Sequence, residues 1–281
     1  MSLKSMVKKI PGVMIARNLQ LAFCAPYSVR RESRKKIKEL KNKYEGKRCF
    51  IIGNGPSLTA EDLDKLRGEI TFAANTIYAM FNRTEWRPTF YCVQDENVLS
   101  DIGEDNLLSI IEKPSYFFIR MHAYKILGRK FANLQKCIFV PIWNRERKEW
   151  GSLFTAEADR YIYDGSTVTF MSMQLAAYMG FQSIYLVGVD NSFPYRIERD
   201  GRIVENDANL KSHFFDGWEC DFKNSSKLFK ANYQEYCNNS YMEAEKYSRR
   251  TGSFRIYNAT RGGKLEIFER VDLDEVLSHE P

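Results

Sequence analysis

The chain has 281 residues, of which 44% are hydrophobic, 14% aromatic and 28% charged. This composition suffices for a packed core, and it excludes a disordered chain, a collagen-like repeat and a small disulfide-stapled protein. The six cysteines include no CxxC pair and there are only three histidines, so the sequence predicts no metal centre of the zinc-ribbon or His-rich type. We expect a reducing, cytoplasmic environment.

Positive charge is concentrated at the N-terminus. Residues 1–50 contain 14 Lys or Arg against three acids, whereas the remaining 231 residues contain 28 Lys or Arg against 33 acids. Residues 1–46 are therefore predicted to form a basic, amphipathic helical arm, whose apolar stretch Leu19–Pro26 is too short to span a bilayer. Arg17 interrupts any signal-peptide core.

The cationic run RRESRKKIKELKNKYEGKR within this arm has two interpretations. It favours peripheral docking on the anionic inner face of a membrane, where each Lys or Arg contributes about 1 kcal/mol. The alternative is a solvated helix or a contact within a homo-oligomer. The acidic body of the protein disfavours nucleic acid as a partner.

From residue 47 onward, short apolar strands alternate with helical segments. This pattern is typical of an α/β domain, and we expect a single Rossmann-like domain with a mainly parallel sheet over residues 47–281. The stretch after SIYLVGVD is long and polar, which predicts a lid insertion at about residues 191–225. Strands are predicted at residues 49–52, 70–75, 89–95, 115–120, 136–142, 183–190 and 254–260, and helices at 166–181 and 226–251.

Ligands of such sheets bind beyond the carboxyl ends of the strands, so the loops Gly53–Leu58 and Asp190–Tyr195 and the residue Asn75 are candidate site segments. GNGPSL combines glycines that allow close backbone approach with two short polar side chains, Asn54 and Ser57. It is neither GxGxxG nor a P-loop, and both a nucleotide-phosphate contact and a structural turn remain open.

Two further motifs contain candidate ligand-binding or catalytic residues. In DGSTVTF, Ser166 or Thr167 either caps the following helix or holds an anionic ligand together with free N–H groups. His213, in KSHFFDGW, lies within the predicted lid, where it is either structural or a general base. The body lacks a DxD motif at a strand end, which argues against a metal-clamped sugar diphosphate.

GNGPSL, AANTIY, GSTVTFMSMQLAAYMGFQSIYLVGVD and SHFF together resemble the bacterial sialyltransferases of glycosyltransferase family 42 and their DUF115 relatives, over residues 47–268. Those relatives include flagellin-modifying motility-associated factors and the archaeal 6-hydroxymethylpterin diphosphokinase MptE. The resemblance implies a general base at His213 and a phosphate-stabilising tyrosine, for which Tyr195 is the nearest match. It also implies nucleotide-donor contacts at Asn54, Ser57, Asn75, Ser166 and Thr167. From the same strand-end loops and polar turn, we add Gly53, Gly55, Gly165 and Asp190 to the predicted nucleotide-binding residues.

We therefore predict a metal-independent glycosyltransferase that moves a sugar, such as a nonulosonic acid, from a CMP-activated donor to a surface-glycan or glycolipid acceptor. The donor is a substrate, and no cofactor is expected. The alternative is a pyrophosphokinase that acts on a pterin-like alcohol with ATP, for which Mg²⁺ is needed and Asp95 and Asp190 are candidate ligands. A non-catalytic nucleotide- or glycan-binding module is the third hypothesis.

Overall fold

The computed structural model describes residues 11–144, 146–147, 151–193, 195–197, 202–205, 214 and 233–279. Its helices are α1 (Pro11–Ala22), α2 (Tyr27–Lys38), α3 (Ala60–Lys65), α4 (Glu96–Ile102), α5 (Glu104–Ile111), α6 (Tyr124–Ala132), α7 (Val168–Tyr178), α8 (Tyr233–Thr251) and α9 (Leu273–Ser278), with 3-10 helices at Asn75–Met80 and Met121–Ala123. Its strands are β1 (Arg48–Ile52), β2 (Thr71–Ala74), β3 (Phe90–Val93), β4 (Tyr116–Arg120), β5 (Cys137–Val140), β6 (Ile142–Trp143), β7 (Glu146–Arg147), β8 (Gly151–Ser152), β9 (Ile162–Tyr163), β10 (Ser183–Val187), β11 (Tyr195–Ile197), β12 (Ile203–Glu205), β13 (Arg255–Asn258) and β14 (Glu269–Arg270).

Eight of the described strands form one sheet in the order β14-β13-β10-β1-β2-β3-β4-β5, and every neighbouring pair is parallel. The predicted Rossmann-like α/β fold with a mainly parallel sheet is confirmed. The chain builds outward from β1 to β5 and then crosses back to β10, which pairs with β1 along its whole length. The carboxyl ends of β1 and β10 therefore flank the point at which strand order reverses, where doubly wound sheets bind ligands.

Both faces of the sheet are buried, which explains why its strands are continuous apolar runs. Along β1, Cys49 and Ile51 lie in one core cluster, whereas Phe50 and Ile52 lie in the other. Helices α7 and α8 belong to the first cluster, and α3, α4 and α5 belong to the second. Because α7 packs against β1, β2, β3 and α8, its position relative to the carboxyl edge of the sheet is fixed.

Helix α2 packs against β5 although its sequence is strongly basic. Ile37 and Leu40, which are 1% and 0% exposed, lie in the core of the domain. The Ser33 hydroxyl accepts a hydrogen bond from the backbone N–H of Phe139 at 3.1 Å. Residues 27–40 therefore pack into the domain, although the predicted boundary at residue 46 assigns them to a separate N-terminal arm.

Helix α1 lies at the carboxyl edge of the sheet, where it contacts β6 and the 3-10 helix after β4. Asn18, which is 4% exposed, donates from Nδ2 to Asn144 O at 3.2 Å and accepts from Asn144 N at 2.9 Å. Asn144 Oδ1 in turn accepts from Arg120 Nη2 at 3.4 Å. These hydrogen bonds connect α1 to the ends of β6 and β4.

The predicted lid segment is described only in part. Strands β11 and β12 form an antiparallel hairpin, and Phe214 is also described, whereas other residues of the segment lie outside the described ranges. The chain rejoins the sheet through α8 and β13. None of the described helices combines the length and the apolar character needed to cross a lipid bilayer.

Candidate functional site

A cavity of about 290 Å³ opens at the carboxyl edge of the sheet, beyond the ends of β1, β2, β3 and β10. The turn before α7 and one face of α8 complete its walls. Its volume is near the lower end of small-molecule sites, which span roughly 300–1,000 Å³. The lining residues fall within 52–55, 74–76, 94–101, 166–169, 188–193 and 233–241.

Gly53 and Gly55 bring the loop after β1 against the loop after β10. Gly53 N donates to Val187 O at 2.8 Å, and Gly55 N donates to Gly188 O at 2.9 Å. A Cβ on Gly53 would lie 2.2 Å from Gly188 O, and a Cβ on Gly55 would lie 1.9 Å from Asp190 Oδ2. Both glycines line the cavity, and both are required for the two loops to pack this closely.

Ser57 contacts Asp190 and does not line the cavity. Its Oγ donates to Asp190 Oδ2 at 2.8 Å, and its backbone N lies 3.4 Å from the same oxygen. On the other side, Lys264 N in the RGGK turn donates to Asp190 O at 2.7 Å. Burial raises the pKa of the Asp190 carboxyl, and the hydrogen bonds from Ser57 oppose that rise. Ser57 therefore holds Asp190, which does line the cavity.

Two asparagines line the cavity at the ends of β1 and β2. Asn54 Nδ2 donates to Ala74 O at 3.1 Å, which ties the two strand-end loops together. Asn75 has a φ of 54°, and its carbonyl oxygen accepts a hydrogen bond from the hydroxyl of the buried Tyr91. The backbone around both side chains is thus fixed by the protein itself.

Buried side-chain oxygens at the cavity lack hydrogen-bond partners among the described residues: Asn54 Oδ1, Asn75 Oδ1, Thr76 Oγ1 and Gln94 Oε1. Thr76 and Gln94 are only 1% and 7% exposed. Since buried polar atoms in native proteins are nearly always paired, these oxygens are available to accept hydrogen bonds from a ligand or from bound water. That ligand would present N–H or O–H groups to them.

Left-handed backbone is also concentrated here. Of the four described non-glycine residues with a positive φ, three line the cavity, namely Asn75, Ser166 and Asn191, at 54°, 61° and 52°. The fourth, Asn42, lies elsewhere on the surface. Residues in sparsely populated backbone regions cluster at ligand sites, which agrees with the evidence from the unpartnered oxygens.

A largely buried carboxylate, that of Asp164, shapes the turn before α7. Asp164 Oδ1 accepts from Ser166 N at 2.9 Å and from Gln94 Nε2 at 3.0 Å. Its other oxygen lies 3.5 Å from Arg120 Nη1, and the side chains of this ion pair are 15% and 17% exposed. The sequence analysis gave Asp164 no role within DGSTVTF, and it missed Gln94 and Arg120 because the ends of β3 and β4 bring them to this turn only in the folded sheet.

Thr167 is the N-cap of α7, since its Oγ1 accepts from Thr169 N at 3.3 Å, and it lines the cavity as well. Gly165 does not line the cavity. A Cβ on Gly165 would lie 2.2 Å from the Phe170 ring, so packing alone requires glycine there. The N-terminus of α7 borders the cavity, and helix N-termini bind anions through their free N–H groups.

The charged side chains of the described lining are acidic. Asp95, Asp101 and Asp190 line the cavity, and no described Lys or Arg does. Asp95 also caps α4 by accepting from Asn97 N at 2.8 Å. Asp95 and Asp190, the Mg²⁺ ligands expected for a pyrophosphokinase, thus share one cavity. Within the described ranges, no three or more His, Cys, Asp or Glu side chains are grouped so as to hold a metal ion.

The profile of the family described as 6-hydroxymethylpterin diphosphokinase MptE-like matches residues 28–196, more than half of the chain. The chain belongs to this MptE-like family. Among solved structures, one similar chain is the MAf glycosyltransferase from Magnetospirillum magneticum AMB-1, with 15% identity and a TM-score of 0.48. The match covers 88% of this chain but 39% of that one. A search of curated proteins gives no match.

Helix α8 of this MptE-like protein adds a wall that the sequence analysis did not predict. Tyr233, Cys237 and Tyr241 recur every four residues and line the cavity. Burial raises the pKa of both tyrosines, and the nearby side chains of Thr167 and Thr169 oppose the rise in the pKa of Tyr241. The four-residue spacing on one helix face is the signal that identifies this wall.

The two side chains predicted to be catalytic are not among those described. His213 lies outside the described residues, and Tyr195 is described only as the backbone of β11. Phe214, the next residue after His213, donates its backbone N–H to Asn54 O at 3.1 Å. The predicted lid therefore contacts the loop after β1 at Phe214.

Proposed function

We propose that this MptE-like protein is a glycosyltransferase that moves a sugar, such as a nonulosonic acid, from a CMP-activated donor to a hydroxyl group of a surface glycan. The observation that carries this proposal is the presence of unpartnered amide and hydroxyl oxygens in the same cavity as the N-terminus of α7. A nucleoside monophosphate matches both features, because its base amine and ribose hydroxyls are donors and its phosphate is an anion.

The charge of the described lining favours one phosphate over several. A helix N-terminus supplies about half of an elementary positive charge, and the charged side chains of this lining are carboxylates. A triphosphate would bring several negative charges close to Asp95 and Asp190, whereas a CMP-linked sugar brings one. The resemblance of GNGPSL, AANTIY, GSTVTF and SHFF to enzymes that use CMP-linked sialic acid supports the same donor.

In the proposed reaction, His213 removes the proton from the acceptor hydroxyl as its oxygen bonds to the anomeric carbon of the donor sugar. The bond between that carbon and the phosphate oxygen breaks, and CMP departs with the electron pair. Ser166, Thr167 and the first N–H groups of α7 stabilise the charge that develops on the phosphate. We assign Tyr195 to the same leaving group.

Ligand-dependent melting temperature tests the donor class. A ligand present at 100 times its Kd stabilises a protein by about 2.7 kcal/mol, so a panel of CMP, UDP, GDP and ATP should give its largest shift with CMP. A preference for ATP would contradict the proposal.

Turnover measured with and without EDTA then distinguishes sugar transfer from pyrophosphoryl transfer. Transfer from CMP-linked sialic acid that persists in EDTA supports the glycosyltransferase. AMP release from ATP and a pterin-like alcohol, abolished by EDTA, would establish the pyrophosphokinase instead. Nucleotide binding without turnover of any donor would establish a binding module.

A further inference from the structure

We propose that α1 and the exposed face of α2 form a docking surface for an anionic membrane. Most of the large hydrophobic side chains that are exposed in the described part of the chain lie here: Ile15, Leu19, Phe23 and Tyr27, at 54%, 42%, 58% and 69% exposure. The first three share one face of α1 and its continuation, because they recur every four residues and Phe23 N donates to Leu19 O at 2.8 Å.

Cations border these apolar side chains. The guanidinium carbon of Arg30 lies 4.4 Å from the ring centre of Phe23 and 5.7 Å from that of Tyr27. Leu19 and Phe23 also share a groove with Arg30 and Arg34. A second concave surface beside Tyr27 is lined by five cations and one acid, namely Arg30, Arg31, Arg34, Lys35, Lys38 and Glu39. Apolar side chains that enter the acyl boundary, beside cations that meet anionic headgroups, are the features of interfacial membrane helices.

This docking surface lies at the same edge of the sheet as the cavity. Helix α1 contacts β6 and the 3-10 helix after β4, both of which follow carboxyl ends of strands. Helix α2 runs antiparallel to β5, since Ser33 contacts Phe139 whereas Lys36 Nζ donates to Cys137 O at 3.4 Å. The Tyr27 end of α2 is therefore directed toward the cavity edge.

A membrane fits this surface better than a second copy of the chain does. In a two-fold dimer the same patch meets itself, so the cations of α2 would face identical cations. An anionic bilayer supplies opposite charge to all of them at once. The inference rests on exposure and charge, and it does not depend on the proposed reaction.

Sedimentation of the full-length protein with lipid vesicles tests the proposal. We expect binding to vesicles of phosphatidylcholine and phosphatidylglycerol that weakens with added salt, and little binding to phosphatidylcholine alone. Leu19→Gln/Phe23→Gln should reduce the partition coefficient about tenfold or more, because two apolar side chains no longer enter the bilayer. Arg31→Gln/Lys35→Gln should reduce it roughly 10- to 30-fold.

Matched variants control for general surface changes. Ile126→Gln replaces an apolar side chain of similar exposure, 53%, on α6, and Arg67→Gln/Lys113→Gln removes two exposed cations elsewhere. Both controls should bind vesicles as the wild type does. Equal binding by the docking-surface and control variants would overturn the proposal. So would a wild type that does not bind anionic vesicles but sediments as a dimer that Leu19→Gln/Phe23→Gln dissociates, because the surface would then be a self-interface.

Discussion

Ser57 Oγ lies 2.8 Å from Asp190 Oδ2, and this hydrogen bond joins two residues that are 133 positions apart in the chain. It connects the loop after β1 to the loop after β10, on either side of the point at which the strand order reverses. GNGPSL therefore lines the cavity through Asn54, and through Ser57 it holds together the loops after β1 and β10.

The pH dependence of stability should reveal the buried carboxyl of Asp190. Burial raises its pKa, so the native state binds this proton more tightly than the unfolded chain, whose Asp pKa is about 3.9. Its contribution to stability is complete below that pH and is lost as pH rises through the native pKa. Asp190→Asn should not show this loss, so its free energy of unfolding should rise relative to the wild type as pH increases above about 3.9.

Urea titrations at several pH values provide the measurement. Ser57→Ala removes a hydrogen bond that opposes the rise in pKa, so its loss of stability with pH should exceed that of the wild type. Parallel stability curves for the wild type and Asp190→Asn would show that the carboxyl is not perturbed.

Asn75→Gly should weaken CMP binding while the protein stays folded. Glycine accepts the left-handed backbone at this position, where alanine would be strained, so the substitution removes the side chain alone. Loss of one hydrogen bond to the ligand predicts a fall in affinity of roughly 2- to 10-fold, measured by calorimetry. Asn42 also has a left-handed backbone but lies away from the cavity, so Asn42→Gly should bind CMP as the wild type does. Equal affinities for the two variants would remove Asn75 from the site.

Arg120→Met should affect both stability and donor binding. It leaves the Asp164 carboxylate without its ion-pair partner, at a cost of about 1–3 kcal/mol in the free energy of unfolding. It also loosens the turn that carries Ser166, so CMP affinity should fall. Arg48→Met breaks the ion pair with Glu69, which is similarly buried but lies at the opposite edge of the sheet, and should leave CMP affinity unchanged. If both variants lose stability but neither loses affinity, the turn does not hold the donor.

His213→Ala should reduce turnover about 10²–10⁴-fold at saturating donor, with nucleotide affinity largely preserved. A general base must be neutral, so the wild-type rate should rise with pH as the imidazole of His213 loses its proton, and the variant should lose this dependence. His122→Ala is the control, because His122 pairs with Glu96 and does not line the cavity. Near-wild-type turnover by His213→Ala would refute the base assignment. Loss of nucleotide binding in parallel with activity would make His213 a structural residue.

The positions of strands and strand-end loops could be predicted from the sequence, because each rests on a local pattern. Short apolar runs gave β1, β2, β3 and β10 to within a few residues, and parallel pairing then placed Asn54 and Asn75 at one edge. The contact of Ser57 with Asp190 could not be predicted in this way. It depends on β10 returning to the side of β1, which is a property of the whole topology.

The packing of α2 against β5 could not be predicted, because the helix is strongly basic. Its buried residues are Ser33 and Ile37, and most of its long cations are exposed, so its composition resembles that of a solvated helix. The wall formed by α8 was missed for a related reason, since tyrosines at four-residue spacing are ordinary in a helix that merely packs. What distinguishes Tyr233 and Tyr241 is their proximity to the turn before α7, which only the tertiary structure establishes.

The hydrogen bonds that run from Asn18 through Asn144 and Arg120 to Asp164 have a thermodynamic consequence. They connect α1, at the outer surface, to the turn that borders the cavity. Binding free energies at two linked sites are reciprocal. If a ligand at this turn favours one arrangement of these side chains, an event that shifts α1 toward the same arrangement will raise the affinity for that ligand, and the ligand will favour the event at α1 by the same factor.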